Sequence, residues 1–238
     1  MTTFVLIHGS YQGGWIWRSV ANQLRAAGHL VLAPTLDGCA ERAGQLRAGI
    51  TVESQAEEIA QLLFYENLYD VVLVGTSSGG MVMAKVAEMA RKHISRLVFA
   101  DALALQHGEK VSDFVSQPSA ITTELSLGPS REDAEGRLLA TLEPNMRAWA
   151  VERCTLHPIA SHRQPVQLDI FWSQSWNATV IYCRRAPNPG EAHQRRCAEN
   201  LGARWHEIDT GIIRCSAPPT NSSGLFSRNS TNNPGPNQ

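Results

Sequence analysis

The chain has 238 residues, 43% of them hydrophobic, and a net charge of −1, a size that suits one domain with a sizeable buried core. With 21 Lys and Arg against 22 Asp and Glu, there is no basic stripe to neutralise phosphates. Composition therefore argues against nucleic acid or an anionic membrane surface as a partner.

The first apolar run, "TFVLIHG", has no basic segment ahead of it and polar residues soon after it. It is read as a strand rather than a signal peptide, which makes the cytoplasm the expected location. Next comes a helical stretch, "WRSVANQLRAAG", with Gly28 as C-cap, and then a strand, "HLVLAPTL". "TVESQAEEIAQLLFYENL" predicts a helix with Ser54 and Glu57 as a capping box. "DVVLVG", the helical "GGMVMAKVAEMARKH" and "SRLVFADAL" continue the alternation. It resumes with "ATVIYC", then with "NPGEAHQRRCAENLG", where Asn188 caps, Pro189 opens the helix and Glu191 closes the box, and it ends with "RWHEIDTG".

Strands apolar on both faces, alternating with amphipathic helices, predict a mostly parallel sheet covered by helices on both sides. Residues from about 104 to 175 break the rhythm. "SREDAEGRLLATL", with a Ser130–Asp133 box, and "NMRAWAVERC" read as helices with no strand between them. This stretch is expected to be a helical lid inserted into the domain. The five cysteines are scattered with no C-x-x-C pair, so neither a zinc site nor a disulfide framework is expected, and no cofactor is called for.

The stretch carrying chemistry is "VVLVGTSSGG", a G-x-S-x-G pattern formed by Gly75, Ser77 and Gly79. Its context is a buried strand before it and a helix straight after it. A serine on such a tight turn is lifted above the sheet edge at a helix N-terminus, where it serves as a nucleophile. Acyl transfer also needs two backbone N–H groups aimed at the developing oxyanion. One belongs to Ser78, the residue after the nucleophile.

"HGSYQGGWIW" after the first strand resembles the H-G-x-x-x-G-G-x-x-W signature of one branch of the α/β-hydrolase family. From residue 4 to about 211 the chain is similar to the plant-methylesterase and hydroxynitrile-lyase branch. "LVFADAL", "RRAPNP", "GTSSGGMV" and "APTLDGCAER" bring it nearer to bacterial esterases, carbamate-cleaving enzymes among them. The resemblance implies an α/β-hydrolase fold, a Ser77 nucleophile, and oxyanion-hole amides from Ser10 and Ser78. His8 would then be structural, holding the loop. The implied partner is a small-molecule ester or carbamate.

The triad acid of many relatives falls at Ala186, inside "VIYCRRAPNP", so that acid is missing. Asp101, at the end of "RLVFAD" beside the nucleophile strand, is the expected replacement. A turn cap is the competing role for Asp101, and Glu191 is the fallback acid. Tyr11, Trp149, Trp172 and Trp176 could line an aromatic pocket, with ordinary core packing the equal alternative for the tryptophans.

The resemblance places the general base in a "DTGH" turn, but this chain reads "DTGI". None of its eight histidines lies beyond His206, and His107, His157 and His162 fall in the inserted region. After Gly211 acids vanish, and Ser, Asn and Pro dominate, a composition expected of disorder. Back-translating "GIIRCSAPPTNSSGLFSRN" with GC-rich codons and inserting one cytosine after the Gly211 codon gives "GHHPMLSAPDELVRALLAQ". That string holds the histidine, a proline loop and an amphipathic last helix, as the resembled family does. A one-base frame shift is the expectation, with a literal chain severely impaired. Open alternatives are another methylesterase or lactonase, a hydroxynitrile lyase, and a non-catalytic binding homologue.

Overall fold

A computed structural model describes residues 1–115, 119–186 and 189–211. Six strands form one sheet: β1 (Thr3–Ile7), β2 (Leu30–Leu32), β3 (Val71–Ser77), β4 (Ile94–Ala102), β8 (Ala178–Cys183) and β9 (Arg204–Ile208), in the order β2-β1-β3-β4-β8-β9. Every neighbouring pair is parallel, as the doubly apolar strands require. Alternate residues enter opposite cores. Val5, Ile7, Leu73, Leu97 and Phe99 face one, while Phe4, Leu6, Val74, Val98 and Ala100 face the other.

The first core is closed by α2 (Val52–Tyr65), α3 (Gly79–Met89) and α7 (Glu191–Leu201), through residues such as Ile59, Leu63, Val86 and Cys197. The second is closed by α1 (Arg18–Ala26), through Val20, Ala21 and Leu24, and by Leu139, Leu142 and Ala150 from the segment between β4 and β8. Outermost strand β9 is braced by Arg195, whose guanidinium lies 4.0 Å from the Trp205 ring and pairs with Glu207 at 3.1 Å.

Strand order reverses between β1 and β3. In an open parallel sheet such a switch point leaves a crevice at the carboxyl ends of the strands, where ligands bind. The loop after β1 and the turn after β3 meet at that end of the sheet.

Two local expectations are corrected. The α2 capping box is Thr51 with Ser54, not Ser54 with Glu57: the Ser54 amide donates to Thr51 Oγ1 (3.2 Å) and the Thr51 amide to Ser54 Oγ (2.9 Å). Two overlapping box patterns compete, and the earlier one wins because Val52 is already buried in the first turn. Helix α7 starts at Glu191 after Gly190 at φ +82°, so Pro189 precedes the helix. Asn188 lies outside the described residues.

The inserted segment, residues 103–177, is not wholly helical. It holds an antiparallel sheet of β5 (Ile121–Thr122), β6 (Ser126–Gly128) and β7 (His157–Pro158). Strands of two or three residues are too short for a period of two to show in sequence. Its helices are α4 (Arg131–Asp133), capped by Ser130 Oγ (3.1 Å), α5 (Pro144–Val151) and α6 (Ala160–Arg163). A π-helical turn over Ala134–Leu138 replaces the expected continuation of α4.

Candidate active site

Ser77 ends β3 with φ +49°, a left-handed conformation that costs a non-glycine residue energy and marks functional turns. The flanking glycines make that turn possible. A Cβ on Gly79 would stand 2.6 Å from the Ile7 carbonyl oxygen of β1, and one on Gly75 would stand 2.9 Å from the Gly79 carbonyl oxygen. Gly9 brings the other wall in: a Cβ there would stand 2.6 Å from Ser77 Cβ and 3.2 Å from its hydroxyl. The loop after β1 therefore lies directly against the serine.

Among the described residues, the Ser10 and Ser78 amides donate no hydrogen bond. Ser78 is the N-cap of the 11-residue α3, so the partial positive charge of the helix end is focused on the same spot. The Ser10 and Ser78 hydroxyls lie 2.6 Å apart, tying the two loops together. Ser10 Oγ also lies 2.5 Å from His162 Nε2.

His8 is fully engaged. The Leu36 amide donates to its Nε2 (3.0 Å), so Nδ1–H donates to the Gly9 carbonyl (2.8 Å). Burial pushes its pKa down to about 4, against a smaller raising effect of the Gly9 bond. The ring is a neutral strut joining the β1 loop to the stretch after β2.

Asp101 is completely buried in β4 and also has φ +49°. It is the bulged residue of the pairing with β3, where Thr76 faces Ala100 and Ser77 faces Ala102. Its Oδ1 accepts from the Cys183 amide at 3.4 Å, and Oδ2 has no partner among the described residues. Burial raises its pKa to about 7, outweighing the Cys183 bond. Ala186, where the resemblance implies an acid, is buried. Glu191 accepts from Arg195 on the surface, one turn along α7.

No imidazole hydrogen-bonds the Ser77 hydroxyl among the described residues. His157 is buried against Cys39 (Nδ1···Sγ 3.4 Å), His193 accepts from the Ala104 amide (2.8 Å), and His107 pairs with Asp169. The stretch after Gly211, where the frame-shifted tail is expected, lies outside the described residues.

Tyr11 has φ +68°, and its ring centroid lies 6.0 Å from that of His162 and 6.2 Å from that of His157. Trp149 is occupied elsewhere: it meets Trp15 edge-on at 5.3 Å, with Arg153 and Arg18 at 4.3 and 5.6 Å. Trp172 and Trp176 donate to the Leu105 and Phe171 carbonyls and pack on the first core. Sequence reasoning missed the contact of His162 with Ser10. The two residues are 152 positions apart, and no spacing rule connects them.

A strained serine on a strand–helix elbow, at the switch point of a parallel sheet, has the nucleophile-elbow geometry of an α/β hydrolase. The chain belongs to the alpha/beta hydrolase family, whose model matches residues 4–222.

Within it, the chain is 33% identical over 181 residues to the carbendazim hydrolyzing esterase of Nocardioides sp. (strain SG-4G), covering 71% of this chain and 74% of that one. It is 32% identical over 142 residues to methylesterase 8 of Arabidopsis thaliana, covering 59% of this chain and 48% of that one. In fold it matches an extracellular alpha/beta-hydrolase from a Paenibacillus species with a TM-score of 0.82 at 21% identity, over 95% of this chain and 96% of that one.

Proposed function

We propose that the chain is built to hydrolyse a small carboxylic or carbamic ester through a Ser77 acyl-enzyme. The observation that carries this reading is the left-handed Ser77 at the strand–helix elbow, its hydroxyl beside the loop after β1 that carries Ser10. Ser77 Oγ attacks the carbonyl carbon, and the two amides hold the oxygen as it gains charge. The base takes the Ser77 proton and passes it to the alcohol as the carbonyl–alkoxy bond breaks; water then attacks the acyl-enzyme, freeing the acid and returning a proton to Ser77 Oγ. Asp101 is the acid that would orient the base, since its buried Oδ2 awaits a donor. Residues from about 104 to 175 would cover the site as a lid, and the protein would work in the cytoplasm.

The specific substrate proposed is carbendazim, cleaved to 2-aminobenzimidazole, methanol and carbon dioxide. The likeness to the Nocardioides esterase supports it; a methyl ester is the neighbouring choice, given the plant methylesterase.

The base is expected directly after Gly211 once one base is restored to the gene. As written, the chain lacks it, at a cost of about a million-fold in turnover, or about 8 kcal/mol. That observation favours a second reading, a non-catalytic ligand-binding homologue. A panel of carbamates and esters decides between them, run with the chain, its frame-restored form and the Ser77→Ala variant of each. The hydrolase reading expects carbendazim turnover in the frame-restored chain that Ser77→Ala abolishes. Turnover unaffected by Ser77→Ala overturns the nucleophile, and binding without turnover in both frames establishes the second reading.

A further inference from the structure

The contact of His162 with Ser10 is not used by the chemistry above, yet it reaches the proposed oxyanion hole. His162 sits on α6 in the inserted segment, held by the bond from its amide to the Ile159 carbonyl (3.1 Å) and by Ser161 Oγ donating to Pro158 (2.8 Å). From there Nε2 lies 2.5 Å from Ser10 Oγ, and Ser10 Oγ lies 2.6 Å from Ser78 Oγ. The two residues at the end of this chain of hydrogen bonds are those whose amides would hold the oxyanion. Ser10 and Ser78 are both buried, at 7% and 3% exposure, so water competes poorly for their hydroxyls.

We infer that His162 is a positioning residue: through the Ser10 and Ser78 hydroxyls it sets the separation and aim of the two oxyanion-hole amides. This rests on the Ser77 reading and adds a dependence on the inserted segment. A ring that stays neutral suits the role, and burial pushes the His162 pKa down to about 4. His157 stands behind it with ring centroids 5.1 Å apart, and Tyr11 flanks both rings. His162 therefore has little freedom to turn away. Oxyanion donors act only when aimed at the transition-state oxygen, so loosening them lowers turnover more than substrate binding.

The chain as it stands offers a direct test. A serine site lacking its base retains about 10³–10⁴-fold catalysis over water, carried by the oxyanion hole and binding. Residual hydrolysis of p-nitrophenyl acetate by the full chain therefore reads the amides. His162→Ala and Ser10→Ala are each expected to lower kcat about tenfold or more with KM nearly unchanged. The double variant is expected to fall no further than either single, because both break the same connection. His162→Gln, which can still bond Ser10, is expected to recover part of the loss.

Ser10→Ala keeps its amide and removes only a hydroxyl, so it keeps the test open if His162→Ala fails to fold. Three results overturn the inference: kcat unchanged, losses that multiply in the double variant, or a lowered Tm with normal kcat. In the frame-restored chain, where the base is present, turnover that survives Ser77→Ala instead overturns the Ser77 reading itself, because only the residual rate of a site without its base is independent of the serine.

Discussion

Ser77 and Asp101 share a left-handed backbone, φ +49° in both, at the carboxyl ends of adjacent parallel strands. The Leu103 amide donates to the Ser77 carbonyl at 2.8 Å, so the bulge at Asp101 and the elbow at Ser77 form one hydrogen-bonded unit. Two strained residues at the neighbouring ends of adjacent strands indicate a local geometry imposed by the surrounding core, because each is disfavoured alone.

The buried acid gives stability a definite pH dependence. With a folded pKa of about 7 against 3.8 for the free side chain, the native state keeps a proton that the unfolded chain releases. Asp101's contribution is therefore complete below pH 4 and is lost as pH rises to 7 and slightly beyond, by about 4 kcal/mol. Asp101→Asn is expected to abolish that loss, unfolding at higher urea than the parent at pH 8 and at similar urea at pH 4. Parallel profiles for the two proteins would contradict a buried, titrating Asp101.

Added imidazole should act as an external base. Asp101 Oδ2 is buried without a partner among the described residues and suits an imidazole N–H. Ester hydrolysis by the chain as written is expected to rise roughly tenfold or more with imidazole, a fraction of the 10²–10⁴ that a held base supplies. The rise should disappear in Ser77→Ala and weaken in Asp101→Asn. A rise equal to that of free ester in imidazole buffer would remove Asp101 from the site.

Reading the gene across codon 211 checks the frame directly: codons that cannot encode histidine in the shifted frame exclude the restored reading. If the frame is restored, turnover should increase about 10⁴–10⁶-fold. The last helix would add stability as well, since each large apolar side chain it buries contributes about 1.5–3 kcal/mol. Chemical denaturation of both forms measures that gain.

Gly9→Ala should separate packing from chemistry. The new methyl group would press on Ser77 Cβ at 2.6 Å and on the Thr76 carbonyl oxygen at 3.2 Å, neither of which is free to swing aside. Destabilisation of about 1–3 kcal/mol is expected, with residual esterase activity falling by about 10²-fold because the Ser10 amide is displaced. Unchanged kinetics would mean that the loop after β1 does not serve Ser77.

Trp149→Ala tests the pocket expectation against core packing. Its ring is held by Trp15, Arg18 and Arg153. The expected result is a stability loss of about 3 kcal/mol with KM nearly constant. A large rise in KM for aromatic substrates with little change in Tm would return Trp149 to the binding site.

Much of this molecule is legible from sequence, for identifiable reasons. Strands such as "VVLVG" are apolar on both faces, and the elbow after them is short-range, so Ser77 and its glycines announce themselves. The role proposed for the Ser78 amide follows from the Ser77 elbow, and that proposed for the Ser10 amide from the resemblance of the loop. What sequence leaves open depends on contacts between distant segments. His162 reaches Ser10 by tertiary placement of α6, and the burial that raises Asp101 comes from the packing of β4 beneath α3 and α7. The sheet of β5, β6 and β7 escapes notice because its strands are shorter than any periodicity, and the α2 box shifts because two cap patterns overlap.

Strand β9 has a further consequence. It is five residues long and carries Arg204 and Glu207 as exposed positions, while β2 at the opposite boundary spans only three residues. A flat, long apolar border invites strand addition from another molecule; short, charged borders discourage it. The parallel sheet is thus guarded at both margins against edge-to-edge aggregation, and charge-removing changes at Arg204 or Glu207 would expose the protein to self-association before they touched its chemistry.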